Sequence, residues 1–336
     1  MHERPRLLRG GWKAALGLAV GFAVAALVAS AFSRDPWRVF LSFAIGPFRS
    51  SFALSVALLR TAPLAITAMG AALCFRMGSF TLGMEGQVYA GAVIASATAG
   101  ALIASLRLPP LLAIAVSACA AALSGASLSG LSALLKSAFG ASVMITSFFI
   151  MQITIAFFDW CVNGPLRDRS TDLLSTQAVP GIGPASPVLA FSFSAGIAVA
   201  AWVFLRANRR GFEARLYGSN PQFASALGIS TSGSDAFALA VSGALSGLAG
   251  FMLAFSNEGR AIKGISGGMG WDAIGVALLA GLSPTASLAV AFAYAWLDSA
   301  SRAAAVYGGL AVSVAAIAKA ILLAIAAKGA ASGGDR

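Results

Sequence analysis

Charge is scarce in this 336-residue chain: Asp, Glu, Lys and Arg make up 10% of it, against roughly a quarter of an ordinary soluble domain. Histidine occurs once, as His2 in the N-terminal tail, where a solvated side chain is expected. With its one histidine in that tail the chain offers no Ser-His hydrolase pair, and without a second it has no HExxH zinc motif. No Gly-x4-Gly-Lys-Ser/Thr occurs, so there is no P-loop to hold ATP. Of the three cysteines, Cys74 and Cys119 lie inside apolar runs and Cys161 near the end of another. No pair has CxxC spacing, so neither a disulfide framework nor a zinc site is predicted. Charge runs, low-complexity linkers and a second soluble domain are also missing.

What is abundant is apolar sequence: 58% hydrophobic residues and a mean hydropathy of +0.84. A water-soluble fold has no way to hide that much apolar surface. Spanning a bilayer takes about 20 mostly apolar residues, and windows of that kind recur along the chain. The runs are continuous rather than alternating, which favours helices over a membrane barrel. The expected fold is therefore an all-α integral membrane protein, a polytopic helical bundle of about ten transmembrane helices (8–10) with a broken or re-entrant segment. The formal charge of +11 is dispersed between the runs, which points to membrane topology rather than to nucleic acid.

The first run, Ala14 to Phe32, follows Arg4, Arg6, Arg9 and Lys13. Ala29-Ser-Ala31 offers signal-peptidase-like spacing, but 19 residues exceed the usual signal core, and a retained anchor is expected. With the basic tail 1–13 in the cytoplasm, helices are predicted near 52–75, 84–105, 111–135, 142–162, 188–205 and 236–256. Between them lie mixed outer segments at 33–50 and 163–186, the latter rich in Pro and charge, and a glycine-rich outer stretch at 257–270. The segment 206–235, opened by Arg206, Arg209 and Arg210, returns to the cytoplasm. Three apolar stretches follow, at 272–283, 286–300 and 308–327, the first too short for an ordinary span. The expected organisation is one transmembrane domain, 14–327, with a cytoplasmic loop at 206–235 and a tail at 328–336. Gly243-Ala-Leu-Ser-Gly247 and Gly125 to Gly130 predict close helix packing, more readily within one subunit than at a dimer seam.

Three features carry candidate chemistry. Glu85-Gly-Gln87, preceded by Gly78 and Gly83, stands at the start of an apolar run. A carboxylate at membrane depth costs about 2.5–3.5 kcal/mol and usually has a partner or lines a wet cavity. Glu85 therefore either belongs to a break between helices or marks a helix start, where its charge is favourable. The second feature, Arg209 to Ile229, predicts a short helix over 211–217 and a turn at Gly218-Ser-Asn-Pro221. A second helix follows from 221, with Asn220 capping and Pro221 at its first position. The third, Asn257 to Gly275, offers Trp271 for ring stacking and Asp272 as a hydroxyl acceptor, or else a plain interfacial turn. Asp298 and Arg302 stand at i, i+4 spacing and predict an ion pair.

The second feature resembles the Gly-x-x-x-Arg-Ala-x-Gly-x-Asn-Pro-x-Ala-Ala-x-x-x-Gly-Ile pattern of ABC-transporter permeases for branched-chain amino acids, simple sugars and nucleosides. Gly211, Arg215, Gly218, Asn220, Pro221, Ala224, Gly228 and Ile229 fit it, while Leu216 and Phe223 replace small alanines. The run 242–250 is similar to the family's following helix. Residues 75–87 resemble its Phe-Asn-Ile-Gly-x-Glu-Gly-Gln motif, with Thr81-Leu82 in place of Asn-Ile, closest to the simple sugar and nucleoside branch. The stretch before Gly275 also matches.

The resemblance implies a permease subunit of an importer in the bacterial inner membrane, with its N-terminus in the cytoplasm. It implies alternating access driven by a separate ATPase, a second permease chain or a copy of this one, and an outer solute-binding protein. ATP is then used by the partner subunit, and this chain binds no cofactor or metal and has no catalytic residue. Nucleosides or simple sugars are the implied cargo. Thr81, Glu85, Gln87, Trp271 and Asp272 are the candidate substrate-pathway residues. Gly211, Arg215, Gly218, Asn220, Pro221, Ala224 and Gly228 are the candidate ATPase-coupling residues. The rival reading is an ion-coupled secondary transporter in which Glu85, Asp159 or Asp272 titrates.

Overall fold

The computed structural model describes residues 50–179, 186–229 and 231–308, with isolated positions at 37, 41, 45 and 48; at 221, 231, 232 and 301–308 only the backbone is described. The expected tails 1–13 and 328–336, the first crossing 14–32 and almost all of the run 308–327 lie outside the described residues, as does most of 33–50.

Ten helices follow one another in the described chain. They are α1 (Ser51–Arg76), α2 (Met84–Ala104), α3 (Pro110–Phe139), α4 (Val143–Asn163), α5 (Pro187–Ala207), α6 (Arg209–Ser219), α7 (Pro221–Ala226), α8 (Thr231–Ser256), α9 (Met269–Leu279) and α10 (Pro284–Gly308). Six of them, α1 to α5 and α8, are long and apolar enough to cross a membrane. Among the described residues there is no strand, only two isolated bridges.

Local chemistry sets the boundaries. Pro110 and Pro187 open α3 and α5 at positions whose amide would have no partner in any case. Ser50 Oγ accepts the amide of Ala53 and caps α1. Gly140, at φ +68°, stops α3.

The core is built around α8, which packs against α1, α2 and α3. Its small residues are the reason. A methyl group on Gly247 would strike the carbonyl of Ala121, and one on Gly125 would strike the carbonyl of Gly243. Backbones in contact recover dispersion energy in a lipid environment that offers no hydrophobic drive between helices. Gly125, Gly243 and Gly247 thus serve packing within one chain, whereas Gly130, predicted with them, has no atom within 4 Å of an added methyl. Helices α3, α4 and α5 turn apolar side chains outward, including Leu123, Ile153, Phe157, Leu189 and Val199.

At one end of the bundle the segments 164–179 and 257–263 interlock. Thr176 donates its amide to the Ala261 carbonyl at 3.0 Å, and Lys263 its amide to Leu174 at 2.8 Å. Thr176 also meets Ser96 of α2. From there the chain turns inward, because Gly268 and Gly270 bond to Glu85, eleven positions below Ser96 on α2. Between Ala261, held beside Thr176, and Gly268, held by Glu85, the chain therefore moves from that end into the bundle. Of the stretch 257–270, expected as an outer segment, only the first half stays at that end of the bundle. Helix α9 then covers 11 residues, about half the thickness of a hydrocarbon core. The chain turns at 280–283 into α10, so the stretch 272–283 holds a helix too short for an ordinary span, as its length implied.

Candidate functional site

The segment 208–229 folds as a two-helix elbow. Asn208 Oδ1 accepts the amide of Arg210 and opens α6. Asn220 Oδ1 accepts the amide of Phe223 at 2.9 Å and opens α7, with Pro221 in its first turn. The second helix ends in a Schellman turn: Ile229 donates its amide to Ala224 and Gly228 donates to Ser225, with Gly228 at φ +79°. Most of the predicted elbow residues hold this shape or its seat directly. Asn220 and Gly228 cap α7, Ala224 is buried beneath it, and Gly218 lies so close to α1 that any methyl group would strike the Arg76 carbonyl. Gly211 touches the Phe204 carbonyl in the same way. Arg209 pairs with Glu213 on the outer face, where Phe212, Phe223 and Leu227 are exposed. Among the described residues, Arg215 Nε is buried without a hydrogen-bond partner.

Beneath the elbow sits a group that sequence reasoning missed. Asp235, buried at the start of α8, accepts hydrogen bonds from Ser79 Oγ and Lys136 Nζ, and from Tyr217 Oη at 3.4 Å. Burial and the Asp235 charge push the Tyr217 hydroxyl above its ordinary pKa, so it stays protonated as a donor. A carboxylate at the edge of an apolar run with no nearby cation in sequence was the available signal. Its partners stand 156, 99 and 18 residues away, beyond any motif.

Glu85, in the first turn of α2, is buried. Its Oε1 accepts the amide of Gly268 at 2.8 Å and its Oε2 that of Gly270 at 2.6 Å. These are orphan amides at the start of α9, where a carboxylate is favoured by both hydrogen bonding and the helix dipole. Glu85 does mark the start of its own helix, as one of its two readings had it, and it also caps a second helix. Gly270 is required there, since a methyl group would overlap the backbone of Glu85.

Next to this cap lies a cavity of about 420 Å³ between α1, α8, α9 and α10, lined by Ser256, Asn257, Ser266, Asp272, Tyr294 and the Arg60–Asp298 ion pair. Tyr294 Oη donates to Asp272 Oδ1. Asp298 thus reaches α1, rather than pairing only along its own helix as the i, i+4 spacing predicted; the Arg302 side chain lies outside the described residues. Of the predicted pathway residues only Asp272 lines this cavity. Thr81 is buried and accepts the amide of Gly83. Gln87 is buried and donates to Ser129 of α3 at 2.8 Å. Trp271 points outward against Phe148, with ring centroids 6.5 Å apart. Asp159 accepts from Tyr89. No group of three metal-ligating side chains occurs among the described residues.

A multi-pass bundle with a half-helix, a polar cavity beside it and a two-helix elbow at one end defines a membrane transport component. The chain belongs to the family described as branched-chain amino acid transport system / permease component, which it matches over residues 53–327. It is thus an ABC-transporter permease, a transport subunit without an ATPase site of its own. It is 28% identical to a protein of Treponema pallidum named as a probable riboflavin import permease, over 89% of this chain and 80% of the relative. It is 26% identical to a glucose ABC transporter permease of Haloferax volcanii, over 79% and 73%. A nucleoside ABC transporter permease of Lactococcus lactis is 25% identical, over 84% and 82%.

Proposed function

We propose that the chain is the membrane-spanning subunit of an importer for an uncharged, ring-bearing, hydroxylated solute such as a nucleoside or simple sugar. Transport follows alternating access, driven by a separate ATPase that docks on the elbow. The observation that carries this reading is the seating of Gly218 against Arg76: a partner pushing on α6 pushes directly on the end of α1. Gly211, Arg215, Asn220, Pro221, Ala224 and Gly228 build the same docking element.

In this reading the elbow faces the cytoplasm, in keeping with Arg206, Arg209, Arg210 and Arg215 there. The full chain makes ten crossings in one domain, 14–327, of a bacterial inner membrane. A second permease chain covers part of the outward apolar surface of α3 to α5. A solute-binding protein delivers cargo at the end where 164–179 and 257–263 interlock. Asp272, beside Tyr294, contacts cargo hydroxyls. Glu85 acts through α9, while Thr81 and Gln87 serve packing and Trp271 faces away from the cavity.

Reconstitution tests this. The complete assembly in liposomes should import solute only with ATP and the binding protein present. Uptake by this chain alone, driven by a proton or sodium gradient, would overturn the reading.

A further inference from the structure

We propose that Asp235 is the positioning residue that fastens the elbow to the bundle, so that displacement of α6 passes through residues 77–83 to Glu85 and the N-terminus of α9. The inference rests on the elbow being the ATPase docking element.

Four chain segments meet on this one carboxylate. Lys136 comes from the end of α3, Ser79 from the α1–α2 connection, Tyr217 from α6, and Asp235 itself from the second turn of α8. A plain apolar contact would hold the elbow against the bundle but would let it slide. Ser79 and Lys136 fix the carboxylate within the bundle, and Tyr217, the elbow's own donor, reaches it at 3.4 Å; a buried carboxylate stripped of a partner is disfavoured, so the joint resists separation.

The connection 77–83 has little slack. Its first half is a tight turn: Met77 donates to Leu73, Gly78 to Phe75 and Ser79 to Cys74, while Cys74 Sγ donates back to the Ser79 carbonyl. Leu82 donates its amide to Ser147 of α4 at 3.0 Å. Gly218 abuts the beginning of this turn and Asp235 grips its middle. Glu85 follows one turn later, holding both Gly268 and Gly270. Movement of the elbow therefore has a continuous mechanical route to the half-helix that borders the polar cavity.

The test uses the complete transporter in liposomes and reads solute imported per ATP hydrolysed, a ratio that a merely structural loss of protein leaves unchanged. Asp235→Asn should lower that ratio by roughly two- to thirty-fold, the range typical of residues on a coupling route. Tyr217→Phe and Ser79→Ala should lower it less, and Asp235→Glu should retain most of it. Spin labels at positions 212 and 80 should keep one narrow distance through the ATP cycle in the wild type and broaden in Asp235→Asn. A wild-type ratio in an assembled Asp235→Asn transporter overturns the proposal. If that variant does not assemble, wild-type ratios in both Tyr217→Phe and Ser79→Ala overturn it instead. A wild-type assembly with no ATP-driven uptake would reject the proposed importer function itself, before any variant is compared.

Discussion

Replacing Gly218 by alanine adds one methyl group where the elbow meets the end of α1. That methyl would overlap the Arg76 carbonyl oxygen, and it would stand 2.9 Å from the Arg76 carbonyl carbon and 3.2 Å from that of Met77. Carbon atoms in contact prefer about 3.5–4.0 Å, and these obstacles are backbone, so no rotamer change relieves the overlap. The elbow must lift or tilt. Over-packing of this kind costs about 1–3 kcal/mol, or roughly a 5- to 150-fold shift of the docked elbow toward an undocked one.

The isolated helix responds with the opposite sign. Alanine is the better helix former by about 1 kcal/mol, so α6 itself gains. Weaker coupling despite a more helical elbow would locate the effect in docking. The assay is solute uptake per ATP in liposomes holding the full transporter. Gly228→Ala is the comparator: its φ of +79° imposes strain, about 1–2 kcal/mol, but open space surrounds it. Its effect should stay within α7. A Gly218→Ala transporter with the wild-type ratio would refute the argument that contact with α1 transmits the push.

Two further outcomes concern the bundle and its far end. Gly125→Ala, whose methyl would strike the Gly243 carbonyl, should lower thermal stability in detergent by about 1–3 kcal/mol, whereas Gly130→Ala, with no atom within 4 Å, should be neutral or slightly stabilising. In the 164–179 loop, the hydroxyl and amide of Ser170, aided by Arg260, hold the Asp168 carboxyl below its ordinary pKa of 3.8. Because the folded value is the lower one, the stabilisation is fully present above that ordinary value and is lost as pH falls through the folded pKa. A spin label at position 172 should therefore stay immobile from pH 8 to pH 5 and loosen only in stronger acid, while Asp168→Asn should loosen it already at pH 7.

Helix positions were legible because bilayer thickness and continuous apolar runs leave few alternatives; α2, predicted at 84–105, is found at 84–104. The elbow was legible because capping is local: Asn220 and Pro221 act within three residues of themselves. Polar partners across the bundle were not. Asp235 gathers donors from three segments, Glu85 caps a helix that begins 184 positions later, and Asp298 reaches back to Arg60. Each such pairing is decided by which helices become neighbours, information that neither periodicity nor residue spacing contains. For Trp271 the sequence left ring stacking and an interfacial position open, and the exposed ring beside Phe148 fits the second.

The capped start of α9 bears directly on cargo. An uncapped half-helix would present its positive end and free amides to the cavity, a ready site for a phosphate or carboxylate. Here Glu85 already occupies those amides, Asp272 adds a second carboxylate on the cavity wall, and the Arg60 guanidinium is engaged by Asp298. At an effective dielectric of 20, a unit negative charge about 7 Å from a carboxylate is disfavoured by about 2 kcal/mol, roughly 30-fold in affinity. A nucleoside and its 5′-monophosphate thus separate the terms cleanly, since they share ring and hydroxyls and differ in charge alone. For a nucleoside-importing assembly, the monophosphate should fail to compete for uptake at concentrations where the nucleoside competes fully. Glu85→Gln should narrow that discrimination, because removing the charge returns part of the α9 dipole to the cavity. Equal competition by both solutes in the wild type would show that Glu85 does not shape the charge selectivity of the path.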